Sequence, residues 1–166
     1  MKVILILLTL LISKTTFSQT LVNSKSYGDL EFKELDYGLA KVKGRRTEKL
    51  SKSPTGNHGW LKDFEIINKS DSIQVLPKAN FGVVYIVSAK DTVDIDVVIE
   101  WIYPKEITND KGKKFRSIKY TTKRPTNIPS ASSYSLDELY EMVKGDWKMN
   151  IYIENKRVCS RTFVLY

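Results

Sequence analysis

The stretch 93-VDIDVVIEWIYP-104 leaves the chain little choice of architecture. Val93, Ile95, Val97, Ile99, Trp101 and Tyr103 fall on one face at period two. Asp94, Asp96 and Glu100 fall on the other, with Val98 and Ile102. Successive side chains point to opposite faces in an extended strand, and β-branched and aromatic residues suit a pleated, half-buried surface. A strand of this kind covers its apolar face with a second layer. Pro104 cannot donate to a ladder and is expected to end the strand.

Strand signals of the same type recur in 30-LEFKELDYGLAKVK-43, 60-WLKDFEIIN-68, 71-DSIQVLP-77, 81-FGVVYIVS-88, 115-FRSIKYTT-122, 146-DWKMNIYIE-154 and 158-VCSRTFVL-165. Between them lie turn-forming clusters, 53-SPTGNHG-59, 77-PKAN-80, 109-NDKG-112 and 125-PTNIPSASS-133. One short helix is expected over 136–143. Ser135 and Glu138 are spaced as a capping box, Gly145 follows as a stop, and Leu136, Leu139, Tyr140 and Val143 share a face. Nothing alternates strand with long helix. The pattern predicts an all-β, antiparallel sandwich of about seven or eight strands.

The N-terminus carries its own instruction. Lys2 precedes an apolar run from Val3 to Ile12 that stops at Ser13-Lys14. That run falls short of the roughly 20 residues a membrane-spanning helix needs, and it fits a secretory signal peptide. Thr16-Phe17-Ser18 places cleavage after Ser18, before Gln19. No cysteine follows the run, which argues against a lipid anchor. The expected division is a signal peptide at 1–18, an N-terminal segment at 19–29 and a single domain at 30–166, in a secreted or periplasmic protein. Cys159 is the sole cysteine, so no internal disulfide is available and burial must supply the stability. In an alternating strand it reads as a small buried hydrophobe.

The last two strand signals form a hairpin. Trp147, Met149, Ile151 and Ile153 share a face, as do Cys159, Phe163 and Leu165, interrupted by Arg161. A three-residue loop, Asn155-Lys156-Arg157, would pair Ile153 with Cys159, Met149 with Phe163 and Trp147 with Leu165. Trp101, Trp147 and Phe163 are then core anchors, and Gly145 admits the sharp entry into the first strand.

Gly-x-Trp, an alternating strand, a turn and a strand ending in Phe-x-apolar resemble the last hairpin of secreted bacterial immunoglobulin-like sandwich domains. With 37-YGLAKV-42, 53-SPTG-56, 80-NFGVVY-85, the acidic segment before 145-GDW-147 and 161-RTFVL-165, the chain resembles a bacterial family known only as a domain of unknown function. The resemblance covers about residues 35 to 166. It implies an immunoglobulin-like β-sandwich in an exported protein, and no catalytic residues.

Catalytic chemistry finds little footing. His58, the only histidine, sits in a turn-like Gly56-Asn57-His58-Gly59 and reads as a solvated loop residue; no Gly-x-Ser-x-Gly elbow is present. One His and one Cys, far apart in the sequence, cannot supply a transition-metal cage without carboxylates. Asp91, Asp94 and Asp96 lack the spacing of a calcium loop and read as charge partners for neighbouring strands. No phosphate loop or dinucleotide fingerprint occurs, and no cofactor is expected.

Charge is the remaining feature. The chain holds 27 basic and 19 acidic residues, and losing Lys2 and Lys14 with the signal takes the net charge from +8 to +6. Lys111, Lys113, Lys114, Arg116, Lys119, Lys123 and Arg124 crowd one stretch, and Lys41, Lys43, Arg45, Arg46, Lys49 and Lys52 another. If these stretches meet on one face they form an anion-binding surface for an acidic glycan, a lipid head group or an envelope protein. Export disfavours nucleic acid. The expected function is a non-enzymatic binding or envelope-associated module. The alternatives are a carboxylate-dependent hydrolase of an envelope polymer and a structural component that assembles by edge-strand pairing.

Overall fold

The structure is a computed structural model that describes residues 24–27 and 29–166; the expected signal peptide lies outside them. Among the described residues the strands are β1 (Ser24–Tyr27), β2 (Leu30–Lys49), β3 (Asn57–Asn68), β4 (Ser72–Ile73), β5 (Asn80–Ser88), β6 (Asp94–Thr108), β7 (Lys114–Pro125), β8 (Ser130–Ser135), β9 (Gly145–Ile153) and β10 (Lys156–Leu165). One sheet runs β1-β2-β5-β8, with β3 also paired to β2; the other runs β4-β10-β9-β6-β7. All pairings are antiparallel except that of β4 with β10.

The core lies between the sheets. Phe81 of β5 meets Trp101, Trp147 and Phe163 of the facing sheet edge-on, at centroid distances of 5.5, 5.9 and 5.2 Å. Edge-to-face contact sets the positive rim of one ring against the negative face of another, beyond the gain from burying area. Trp147 is fully buried, and its indole N–H donates to the Val143 carbonyl at 2.7 Å. Cys159 is buried as well.

Several boundaries differ from the sequence expectation, each for a local reason. β6 does not stop at Pro104. Both its ladders lapse after Ile102, and four residues, 103–106, stand opposite Arg116 alone, so the missing N–H of Pro104 falls where no ladder bond is made. The cluster at 125–133 contains the start of a strand, β8, hidden by its serines. Gly82 admits it: a Cβ there would come within 2.3 Å of the Ser132 carbonyl oxygen. Asn57, His58 and Gly59 belong to β3, not to a turn.

The expected helix over 136–143 shrinks to a 3₁₀ turn, Leu139–Glu141. Leu136 exchanges backbone hydrogen bonds with Lys78 and Ala79, which keeps the chain in the sheet past Ser135. Ser135 donates to the Asp137 side chain instead of capping, and Leu139 is 82% exposed. The Glu141 carboxylate takes the N–H groups of Asp137 and Glu138, at 3.1 and 3.0 Å.

The closing hairpin is offset by two residues from the expected register. Its turn is the pair Glu154-Asn155, both in the left-handed region at φ 49° and 63°. The register slips at Val158, and Cys159 then pairs with Ile151, Arg161 with Met149 and Phe163 with Trp147. A shift of two preserves parity, so the two apolar faces still coincide.

Two devices join the sheets at the sides. On one side Arg161 of β10 binds the Glu34 carboxylate of β2 through Nε and Nη2 and Asp71 through Nη1, at 2.8 Å for the last, with its guanidinium 3.4 Å from the Tyr37 ring centroid. Burial would lower the arginine pKa, but the two carboxylates raise it further. On the other side the distal halves of β2 and β3 form an arm. Pro54 at its tip accepts from the Asn109 side chain at 3.0 Å and from the Tyr140 hydroxyl at 3.3 Å. The arm thus starts in one sheet and lands on the β6–β7 turn of the other.

Candidate ligand cleft

Under the arm the sheets stay apart. Along β7 the alternation sets Ile118, Tyr120, Thr122 and Arg124 toward the space between the layers and Lys119, Thr121 and Lys123 outward. β3 brings His58 and Trp60 over that space, and β8 brings Ser130 to Ser133 up to it. The result is a cleft of about 410 Å³, bordered also by Phe64 and Pro129, with no carboxylate among the described residues of its wall. It adjoins a smaller cavity of about 60 Å³ past His58, Tyr120 and Ser133, bounded by Asn80, Trp101, Tyr134, Asp137 and Glu141. His58 is therefore no solvated loop residue. Its half-buried ring lies 4.4 Å from the Tyr120 ring and 5.5 Å from that of Trp60.

Arg124 is the cation of the cleft. Its guanidinium carbon stands 5.2 Å from the Trp60 ring centroid. Nη1 and Nη2 lie 3.4 Å from the carbonyls of Lys123 and Ala131, and the guanidinium also interacts with the Tyr85 hydroxyl. Its Nε is buried with no hydrogen-bond partner, and no carboxylate of the described residues pairs with it. The Tyr85 and Ser132 hydroxyls meet nearby at 3.4 Å.

The small cavity has a different character. Asn80 and Trp101 are buried, and the Asn80 Oδ1 and Trp101 Nε1 atoms find no partner among the described residues. Glu141 is buried, and burial pushes its carboxyl up to about 7 against the lowering effect of the Tyr134 hydroxyl, which donates at 2.6 Å, and of the turn N–H groups. Its neighbour Asp137 comes from the same turn.

The seven cations of 111–124 divide between these settings. Lys114 and Arg116 bind Glu106 at 3.0 and 3.6 Å, and Lys123 binds Asp96 at 2.9 Å. Lys119 lies 4.4 Å from the Tyr152 ring centroid. Lys113 reaches the Ser51 carbonyl, and Lys111 is exposed on the β6–β7 turn. Arg124 alone enters the cleft. Trp60, Tyr120 and the β8 serines escaped the sequence reading, although strand parity in 118–124 already aligns Arg124 with Ile118 and Tyr120. Of the other singled-out residues, Trp101, Trp147 and Phe163 are buried, and Gly145 opens β9 at φ 120° with Pro104 packed against it. Among the described residues, no group of three or more His, Cys, Asp and Glu is placed to hold a metal ion. Nor is any of their helices long and apolar enough to cross a membrane.

A family model described as a domain of unknown function (DUF3859) matches residues 29–165. Among solved structures, the chain is similar to an immunoglobulin-like protein from Pseudomonas aeruginosa. The two share 15% identity over 86% of this chain and 96% of the other, with a TM-score of 0.59. A likeness at that identity carries the fold alone. No curated protein matches the chain.

Proposed function

Since the chain belongs to the DUF3859 family and has an immunoglobulin-like fold, we propose that it is an exported, non-enzymatic binding module whose ligand occupies the cleft beneath the β2–β3 arm. One observation carries the reading: aromatic rings, hydroxyls and a single cation converge on a concave space between the sheets, the usual make-up of a small-molecule site. The lysines outside the cleft serve solubility and contribute a diffuse positive field. Export rests on the apolar segment at 3–12.

Fragment titration followed by amide chemical shifts tests the site. Perturbations should cluster at 58–60, 120–124 and 130–133; a library whose hits all fall elsewhere, or that gives none, overturns it. Mature protein recovered from the envelope or medium should begin near Gln19, whereas an intact N-terminus on cytosolic protein would end the export reading.

A further inference from the structure

Two arginines point between the sheets, and they differ in one respect. Arg161 meets two carboxylates, those of Glu34 and Asp71. Among the described residues Arg124 meets none, and the wall of its cleft holds no Asp or Glu. A cation taken partly out of water needs an opposite charge close by. Arg161 has its counter-charge within the chain, so the contrast isolates what Arg124 lacks. We propose that this counter-charge arrives with the ligand: the cleft binds a small monoanion through a carboxylate set against Arg124. The proposal rests on the cleft reading above and names the ligand's chemistry.

Three features favour a carboxylate. The guanidinium carbon lies 5.2 Å from the Trp60 ring centroid and its Nε has no hydrogen-bond partner, and a planar two-oxygen acceptor matches the N–H edge of a guanidinium. Among the described residues Arg124 is the one Lys or Arg in the lining, so the charge balance suits a monoanion better than a dianionic phosphate. Ser130, Ser132 and Ser133 supply hydroxyls, and Trp60, Phe64 and Tyr120 supply apolar surface for a ring. The ligand is therefore a ring-bearing acid, and sugar acids and aromatic acids share that chemistry.

The test is titration of the intact mature protein with glucuronate and benzoate, with glucose and benzamide as uncharged counterparts and inorganic phosphate as a second anion. Amide shifts at 58–60, 120–124 and 130–133 report binding. At least one acid should bind tenfold or more tightly than its uncharged counterpart and than phosphate; which one does identifies a sugar or an aromatic source. Arg124→Met should erase that preference, and Arg124→Lys should keep part of it. In the unaltered protein, binding should weaken as the acid is protonated, which needs no variant to fold. Equal binding of charged and uncharged partners, or tighter binding of phosphate, overturns the carboxylate assignment and leaves the cleft standing. No shift at these residues with any probe overturns both.

Discussion

Trp147 illustrates how much one side chain holds. It contacts Phe81, Tyr103 and Tyr134 at ring-centroid distances of 5.9, 4.9 and 4.9 Å and anchors its N–H on Val143. Trp147→Ala should cost about 3–5 kcal/mol, read as a fall in the urea midpoint. Strand parity alone placed this residue among Met149, Ile151 and Phe163. Glu141 was not legible in that way, because its role depends on a turn that replaced the expected helix. Its carboxyl is raised from 4.5 to about 7, so the folded state binds the proton more tightly than the unfolded chain. Its contribution to stability is complete below pH 4.5 and declines as pH rises to about 7, by roughly 1.4 kcal/mol per pH unit at most. Unfolding free energies across that range should show the slope in the parent protein and lose it in Glu141→Gln.

Among the elements, the closing hairpin shows what the sequence conceals. Its faces were readable from alternation, but its register depended on a two-residue turn built from Glu and Asn. Neither residue announces a left-handed pair as Asn-Gly would. Glu154 sits at φ 49°, where a side chain is disfavoured. Glu154→Gly should therefore stabilise the domain by up to about 1 kcal/mol, seen as a higher melting temperature with an unchanged amide spectrum outside 152–158. β8 was hidden for another reason: its serines resemble a loop until Gly82 is seen to admit them. The cleft was only partly legible. The sequence gives Arg124 its face, but Trp60 comes over it through the path of the arm, which no local pattern encodes.

For the molecule as a whole, the two-layer fold followed from alternation and from the lack of long helices. The joining of its sides did not, since Arg161 in a row of apolar residues reads as an interruption. It is a cross-link without sulfur. Arg161→Met leaves Glu34 and Asp71 without their partner and should cost on the order of 3 kcal/mol, measured by thermal unfolding. Adding Glu34→Gln should recover part of that loss, a coupling that simple loss of packing would not produce.

That same clamp fixes when the fold can be finished. Glu34 and Arg161 are 127 residues apart, and β10 also delivers Phe163 to the core. A ribosome that has made β1 to β8 has made one whole sheet but only fragments of its cover. The two layers cannot lock until β10 has been made, so closure of this fold waits on its last strand.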